Sequence, residues 1–359
     1  MLLIASESLN PSEPVNDIVR EMSLALAHFR SPHLLKSQLA SSSRCLLLLA
    51  EDDLTESVTR AISTPANVGV IIAADSKRVR KIGKTRVADF LVDLPNAEWV
   101  GSDFDYARLA TSARRCRRRM LKVSKPELEA AFDRIEFVIQ YQPKVERGTA
   151  SDWLTREAEA LVRWRHPQHG HMAPLEFLPE IEAFDMMGRL TEFVLRKSAA
   201  QLGEWESQGF VLRACVNLAS SQLSNPGLGD HYAAIVREFG MEPDRFTFEV
   251  VERDLADPEA PQVRALENLR EAGFRLCLDN FKVAAANLGT LETMPFDEIK
   301  IHASTLRRAR ENEVAQKVLA AVTGLAHSLE MSVCAEGVED EETWNFLKTI
   351  ECDKMQGFL

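Results

Sequence analysis

The chain has 359 residues, 45% hydrophobic and 27% charged, which indicates a folded protein of two domains, or a small domain plus a barrel-sized one, and excludes disordered, collagen-like and coiled-coil chains. Apolar runs such as Cys45–Ala50 are far shorter than the roughly 18 residues of a membrane span, and the start lacks a signal peptide's basic segment, so we expect a cytoplasmic protein without membrane contact. The net charge of −11 is uneven, because residues 1–125 carry 19 Lys and Arg against 14 Asp and Glu, whereas residues 126–359 carry 24 against 40.

The six cysteines form no CxxC pair and no cluster with histidine, which excludes zinc-ribbon and dithiol redox sites. We expect most of them to be small buried hydrophobic residues.

Residues 1–122 alternate short apolar runs with helical patterns. The strand-like runs are LLIA, CLLLLA, VGVIIAA and DFLVDL, and the helical stretches are VNDIVREMSLALAHF, TESVTRAI and YARLATSARRCRRRML. Such an alternation predicts a small parallel α/β sandwich.

The segment RVADFLVDLP, followed by a helix ending in RRCRRRM, resembles the last strand and helix of response-regulator receiver domains. In this alignment Ala50 stands where a receiver carries its phosphorylated aspartate, and Asp93 stands where it carries its lysine. Without those groups there is no phosphoryl chemistry, so the resemblance implies a pseudo-receiver domain over residues 1–122. A register shift of two or three residues would instead make Asp52 or Asp53 the acceptor.

A helical linker is expected over residues 123–131, with Ser124 as the N-cap and Pro126 as the first residue of the helix PELEAAFDRI. The basic run RRCRRRMLK before it could bind a phosphate-rich partner. We prefer a solvated helix face whose cations lie near the helix C-terminus, and we expect no nucleic-acid polymer as a partner.

From residue 137 onward, strand-like runs recur, and each ends in a polar or charged residue. The runs LRACVN, FTFE, FRLCLD, EIK and VCAE end at Asn217, Glu249, Asp279, Lys300 and Glu336. Their spacing is that of repeated strand–helix units, which predicts a barrel whose strand ends converge on one mouth. Oxygen ligands gathered there favour Mg²⁺ or Mn²⁺, although any single acid could instead cap the following helix.

Residues 132–359 look like the EAL domain of bacterial cyclic di-GMP phosphodiesterases. The motifs that carry the resemblance are YQP at residues 141–143, EALVRWRHPQHGHMAPLEFLP from Glu159, VNLASSQL, FEVVE, LDNF, IKI, AEGVEDEE and QGFL. The resemblance implies a TIM-like (β/α)8 barrel after the receiver-like α/β sandwich. The chain stops at Leu359, where family members usually continue, so the domain is either truncated or closed without a final helix.

The resemblance also implies roles for individual residues. One catalytic metal would be bound by Glu159, Asn217, Glu249 and Asp279. Glu336 and the residue after Asp279 would serve a second metal and the attacking water, with Lys300 holding that water and Gln356 supporting the site. Gln142, Leu161 and Arg163 would contact the dinucleotide, and Glu252 would brace the loop after Asp279.

Three residues depart from the family pattern. Asn280 replaces a second aspartate, Lys282 replaces a loop glycine, and His302 replaces an aspartate after IKI. The first metal site is therefore expected and the second is doubtful. His302 could alternatively be a metal ligand or a general base, since imidazole binds transition metals, but we prefer a hydrogen-bonded histidine.

These departures indicate a degenerate EAL domain that binds cyclic di-GMP or a protein partner with weak or no hydrolysis. Two alternatives remain open. One is an active metal-dependent phosphodiesterase that opens cyclic di-GMP to linear pGpG, and the other is a scaffold that has lost the dinucleotide as well. The resemblance further suggests a homodimer formed through the barrel.

Overall fold

The computed structural model describes residues 2–6, 25–29, 35, 45–50, 68–73, 97–100, 111–115, 123–148, 153–255, 260–281 and 294–358. The chain divides into two compact units. The first comprises Met1–Val138 and Arg163–Phe184, and the second comprises Ile139–Val162 and Asp185–Leu359.

The first unit contains a five-stranded parallel sheet in the order β2-β1-β3-β4-β5. Its strands are β1 (Leu2–Ser6), β2 (Ala25–Phe29), β3 (Cys45–Ala50), β4 (Val68–Ala73) and β5 (Ala97–Val100). Leu46–Leu49 and Val70 are fully buried, as expected for strands of a parallel sheet covered on both faces. This strand order is that of flavodoxin-like sheets. It is compatible with a receiver-like domain, which stays a prediction.

Two details of this sheet differ from the sequence prediction. Ala25–Phe29, which we predicted as the end of a helix, is β2, because pairing with Leu2–Ser6 outweighs the helix propensity of Ala and Leu. The edge position beside β4 is taken by Ala97–Val100, which the sequence analysis missed. Ala50 is the last residue of β3, whereas Asp52, Asp53 and Asp93 lie outside the described residues.

The first unit also holds the helix α1 (Lys125–Asp133), which begins at an N-cap as predicted. The backbone N–H of Ser124 donates to Glu127 at 2.9 Å, and the Ser124 hydroxyl donates to the same carboxylate at 2.7 Å. Pro126 occupies the second helical position, one residue later than we predicted. Nearby, the rings of Phe137 and Trp164 pack with centroids 5.3 Å apart.

The TIM-like barrel is confirmed as eight strands in a closed ring. In chain order they are β6 (Phe137–Arg147), β7 (Trp153–His166), β9 (Arg213–Asn217), β10 (Phe246–Val251), β11 (Arg275–Phe281), β12 (Glu298–Ile301), β13 (Ser332–Val338) and β14 (Lys354–Gly357). A short strand, β8 (Gly170–Met172), pairs antiparallel with the end of β7.

One strand departs from the all-parallel arrangement of a TIM barrel. Strands β7 and β9–β14 are parallel neighbours, but β6 runs antiparallel to β14, with Glu146 opposite Lys354. Pairing of β6 with β7 closes the ring.

The remaining helices are α2 (Leu178–Ala183), α3 (Met187–Ser207), α4 (Leu228–Arg237), α5 (Ala260–Glu271), α6 (Ala303–Glu311), α7 (Glu313–Ser328) and α8 (Glu341–Thr349). Two helices approach closely at Gly229 of α4, where a Cβ atom would lie 2.3 Å from the carbonyl oxygen of Asn268 in α5. None of the helices that the structure describes combines the length and apolarity needed to cross a bilayer.

Candidate active site at the barrel mouth

The polar residues predicted at strand ends lie at one end of the barrel. Asn217 is the last residue of β9, Lys300 and Gln356 lie one residue before the ends of β12 and β14, and Glu249, Asp279 and Glu336 lie two residues before the ends of their strands. The strands thus continue slightly further than predicted. Together with Glu159 of β7, we call these seven residues the mouth cluster.

Lys300 connects the carboxylates of the mouth cluster. Its Nζ lies 2.7 Å from Glu159 Oε2, 3.2 Å from Glu249 Oε2 and 3.9 Å from Asp279 Oδ1, and its side chain is 3% exposed. Burial alone would lower the pKa of Lys300, but Glu249 and Glu159 raise it well above the usual lysine value. Lys300 is therefore a charged ammonium among carboxylates.

Two amides complete the surroundings of Glu159. Asn217 Nδ2 donates to Glu159 Oε1 at 2.9 Å, and Gln356 Nε2 donates to Glu159 Oε2 at 2.9 Å. Gln356 Nε2 also lies 3.1 Å from Gln142 Oε1, which places a predicted dinucleotide contact beside the cluster. Burial raises the pKa of Glu159, but Lys300 and these hydrogen bonds lower it to about 2.

The other carboxylates of the cluster have raised pKa values. Burial, assisted by the charge of Glu159, raises the pKa of Glu249 to about 7 against the opposing effect of Lys144 and Lys300. Burial likewise raises the pKa of Asp279 and of Glu336. A raised pKa means that the surroundings stabilise the anionic form of these three groups less well than that of Glu159.

The carboxylate oxygens of the mouth cluster are chemically suited to bind a hard divalent cation. The mouth cluster has four carboxylates (Glu159, Glu249, Asp279 and Glu336) and one ammonium of its own, that of Lys300, and Asp279 Oδ1 is buried with no hydrogen-bond partner among the described residues. Oxygen ligands with excess negative charge are those that Mg²⁺ and Mn²⁺ prefer. Within the described residues, no three His, Cys, Asp or Glu side chains converge on one point as metal ligands, because Lys300 lies between these carboxylates. A cation would have to compete with that ammonium.

Three further predicted site residues lie on β7 or directly after β10. Leu161 is half-buried two residues beyond Glu159 on β7, and Glu252 opens the turn Glu252–Leu255 after β10. Arg163 is half-buried in the stretch of β7 that belongs to the first unit. Their roles stay predictions.

The positions that depart from the family pattern have distinct surroundings. Asn280 has a φ of 58°, a left-handed conformation that asparagine tolerates better than most residues, and its Nδ2 donates to Asp279 Oδ2 at 3.0 Å. His302 is the N-cap of α6, and its Nδ1 accepts from the backbone N–H of Ser304 at 3.1 Å. Lys282 lies outside the described residues.

A second set of charged residues inside the barrel escaped the sequence analysis. We call Lys144, Glu157, Glu298 and Lys354 the inner layer, and all four are at most 4% exposed. Three of them precede a mouth residue by two positions on the same strand, since Glu157 precedes Glu159, Glu298 precedes Lys300, and Lys354 precedes Gln356. Alternate residues of a strand share a face, so this period of two was the available signal.

Hydrogen bonds join the inner layer into one network. Lys354 Nζ lies 2.6 Å from Glu157 Oε2 and 2.5 Å from Glu298 Oε2. Cys215 Sγ and Thr247 Oγ1 each donate to Glu157 Oε1 at 2.9 Å. The four described free cysteines, Cys215, Cys277, Cys334 and Cys352, are all buried as predicted, but Cys215 takes part in this polar network.

Comparisons with known proteins agree with the barrel and its motifs. A family model for the EAL domain matches residues 126–359. The chain is 36% identical over 223 residues to an uncharacterized signaling protein of Caulobacter vibrioides, and 31% identical over 223 residues to the cyclic di-GMP phosphodiesterase PA2567 of Pseudomonas aeruginosa. Each match covers 62% of this chain, and the two cover 27% and 38% of those relatives. The chain thus spans well under half the length of these curated relatives.

Solved structures give the same result. The phosphodiesterase PaMucR in complex with cyclic di-GMP superposes with a TM-score of 0.59 at 30% identity, covering 65% of this chain and 94% of that one. The EAL domain of FimX from Pseudomonas aeruginosa, bound to cyclic di-GMP, has a TM-score of 0.58 at 20% identity, covers 65% of this chain and 93% of that one, and shows likeness of fold alone. Because the family model matches about two thirds of the chain, the chain belongs to the EAL-domain family of cyclic di-GMP signalling proteins.

Proposed function

We propose that this chain binds cyclic di-GMP at the barrel mouth with the help of one divalent cation and hydrolyses it slowly or not at all. Cyclic di-GMP is named in the complexes of the solved relatives PaMucR and FimX. The intact mouth cluster supports binding, and the altered position Asn280 supports weak hydrolysis.

The cation would be held by the carboxylates of Glu159, Glu249 and Asp279 and the amide oxygen of Asn217. When bound, Mg²⁺ or Mn²⁺ would neutralise phosphate charge and lower the pKa of a bound water. The residues themselves orient this site, because Asn217 and Gln356 both donate to Glu159 and hold its two oxygens in fixed directions. Gln142, Leu161 and Arg163 are proposed to contact the dinucleotide, where the Arg163 guanidinium suits a phosphate.

The observation that carries the proposal of weak hydrolysis is the contact between Asn280 and Asp279. Asn280 Nδ2 donates to Asp279 Oδ2 at 3.0 Å, so a hydrogen-bond donor occupies the position at which the family resemblance implies a second carboxylate. An amide carries no charge, and its N–H group repels a cation. A second divalent cation, which stabilises the attacking and leaving oxygens in two-metal sites, would therefore bind weakly here.

Asn280→Asp tests this proposal, because it restores one negative charge with almost no change in volume. We expect wild type to bind cyclic di-GMP in calorimetry with Ca²⁺ and to form little pGpG with Mn²⁺ in product chromatography, while Asn280→Asp forms it at least about 10-fold faster. Glu159→Ala is the control, since it removes a shared cation ligand. Brisk turnover by wild type, no faster in Asn280→Asp, would contradict the proposal of impaired hydrolysis.

The second candidate function is an active phosphodiesterase. It is favoured by the assembly of Glu159, Lys300 and Gln356 within hydrogen-bond distance, together with Glu336 on the strand between the last two. The same chromatography separates the candidates, because an active enzyme would lose its turnover in Glu159→Ala, whereas equal traces of pGpG from both proteins would rule it out.

A pseudo-receiver over residues 1–122, a linker over residues 123–131 and a homodimer formed through the barrel complete the proposed signalling protein. A protein partner that reads the ligand-bound state would then carry the signal. Sedimentation of the full chain with and without cyclic di-GMP measures the oligomeric state, and a monomer under both conditions would contradict the homodimer.

A further inference from the structure

The two lysines of the inner layer have different neighbours. Among the described residues, Lys354 forms ion pairs with two acids of the inner layer, Glu157 and Glu298. Lys144 lies 3.6 Å from Glu298 Oε1 in the inner layer, but its Nζ also donates to Glu249 Oε1 of the mouth cluster at 2.6 Å. Among the described residues, Lys144 therefore links the inner layer to the mouth cluster.

This link gives the two oxygens of Glu249 different environments. Oε1 accepts from Lys144, whose side chain is fully buried, while Oε2 lies 3.2 Å from Lys300 at the mouth. A carboxylate turns easily about its last side-chain bond, since this torsion is broad. A strong contact on one oxygen determines where the other oxygen points.

Charge counts show that the contact between Lys144 and Glu249 is not required to balance the inner layer. The inner layer holds two carboxylates and two ammonium groups and is balanced by itself, whereas the mouth cluster holds four carboxylates and one ammonium. Lys144 is thus not needed at Glu249 to balance the inner layer. Its short contact with Glu249 instead orients a single carboxylate.

We propose that Lys144 is a positioning residue that turns the carboxylate of Glu249 so that Oε2 faces the barrel mouth and its divalent cation. The proposal rests on the proposed function, because it takes Glu249 as a ligand of that cation. Partners that orient a metal ligand commonly change metal affinity by about 10- to 100-fold when removed. Lys144 belongs to this class, although it touches neither cation nor substrate.

The barrel supplies a matched control for the test. Lys144→Met alone would take one ammonium from two buried carboxylates, Glu249 and Glu298, and endanger the fold, so it is combined with Glu298→Gln, which removes one of the two negative charges. Lys354→Met with Glu298→Gln removes the same number and kind of charges from the same layer. Glu249 loses its contact with Lys144 in the first double variant and keeps that contact in the second.

Full-length wild type and both double variants are titrated with Mn²⁺ by calorimetry, and bound Mn²⁺ is followed by electron paramagnetic resonance. We expect the variant lacking Lys144 to bind Mn²⁺ about 10- to 100-fold more weakly than the variant lacking Lys354, which stays within about 3-fold of wild type. Melting curves verify folding. If the variant that carries Lys144→Met does not fold, Lys144→Gln replaces it in the same Glu298→Gln background. This substitution keeps a hydrogen-bond donor, and the comparison is repeated with it.

The outcomes separate this inference from the function on which it rests. Absence of Mn²⁺ binding by wild type would overturn the proposed cation site and the inference with it. Wild-type binding together with equal dissociation constants, or tighter binding by the variant lacking Lys144, would overturn the inference alone.

Discussion

Glu159 and Glu249 share the ammonium of Lys300, yet they release their protons at very different pH values. Glu159 faces Lys300 and two amide donors, which bring its pKa to about 2, whereas Glu249 is fully buried beside the charge of Glu159 and has a pKa near 7, above its ordinary 4.5. Lys300 and the amides therefore outweigh the burial of Glu159, whereas Lys144 and Lys300 together only partly offset the burial of Glu249.

We expect the stability of the metal-free protein to reflect this contrast. The native state raises the pKa of Glu249, so Glu249 adds stability below about pH 4.5, and this stability is lost as the pH rises towards 7. The contribution is ~3 kcal/mol for a shift of this size. Glu249→Gln should therefore gain stability relative to wild type between pH 5 and pH 7 in urea unfolding with chelator.

Glu159→Gln is the control with the opposite sign. The native state lowers the pKa of Glu159, so its stability is present above about pH 4.5 and is lost as the pH falls towards 2. Between pH 5 and pH 8 Glu159 itself keeps its charge, but that charge raises the pKa of Glu249, so Glu159→Gln should weaken the loss of stability that wild type shows as the pH rises towards 7. A constant difference between Glu249→Gln and wild type over this range would contradict the raised pKa of Glu249.

At the scale of elements, helices α4 and α5 pack closely because of one glycine. Gly229 lets the backbone of α4 approach Asn268 in α5, and its N–H donates to Asn268 Oδ1 at 2.8 Å. A methyl group at this position would meet backbone atoms, which cannot move as the end of a flexible side chain can.

We expect Gly229→Ala to destabilise the protein by ~2 kcal/mol, because the new methyl group pushes the two helices apart. Gly324→Ala in α7 is the matched control, since its Cβ would meet nothing within 4 Å. That substitution should stabilise the helix by up to ~1 kcal/mol, because alanine is the better helix former. Thermal unfolding of both variants measures the difference, and a similar gain in both would show that the helices can separate without cost.

The sequence predicted the residues at the strand ends, but it did not predict the buried lysines of the inner layer or the strand Ala25–Phe29. Asn217, Glu249 and Asp279 were found because each stands near the end of an apolar strand. Lys144 and Lys354 were missed because a lysine inside a strand is ordinarily taken as exposed, and only the closed barrel brings buried carboxylates to them. Ala25–Phe29 was predicted wrongly for the same kind of reason, since its strand depends on a partner elsewhere in the chain.

At the scale of the whole molecule, the acidic balance of residues 126–359 has a definite place in the barrel. Counted as formal charges, the inner layer is neutral, and the mouth cluster holds four carboxylates against the one ammonium of Lys300, an excess of three negative charges. Such crowding destabilises the metal-free fold, and the proposed cation would relieve it.

We expect Mn²⁺ to stabilise the full chain by about 2.7 kcal/mol at a concentration 100-fold above its dissociation constant. Asp279→Asn should reduce the Mn²⁺-induced rise in melting temperature, because it removes a proposed ligand. Glu238→Gln is the control, since it removes one negative charge from an exposed ion pair with Arg196 and should leave the rise intact. Equal rises in all three proteins would argue against a cation at the mouth.

The antiparallel pairing of β6 with β14 also determines when the site can form during folding. Lys354 reaches Glu157, and Gln356 reaches Glu159, across 197 residues of sequence, and Gln356 reaches Gln142 across 214. Contacts of such long range form slowly, because a long loop must first be closed. While residues 354–357 are still inside the ribosome, Glu157 lacks its lysine and Glu159 lacks one of its amides. The barrel mouth can therefore be completed only after residues 354–357 have left the ribosome.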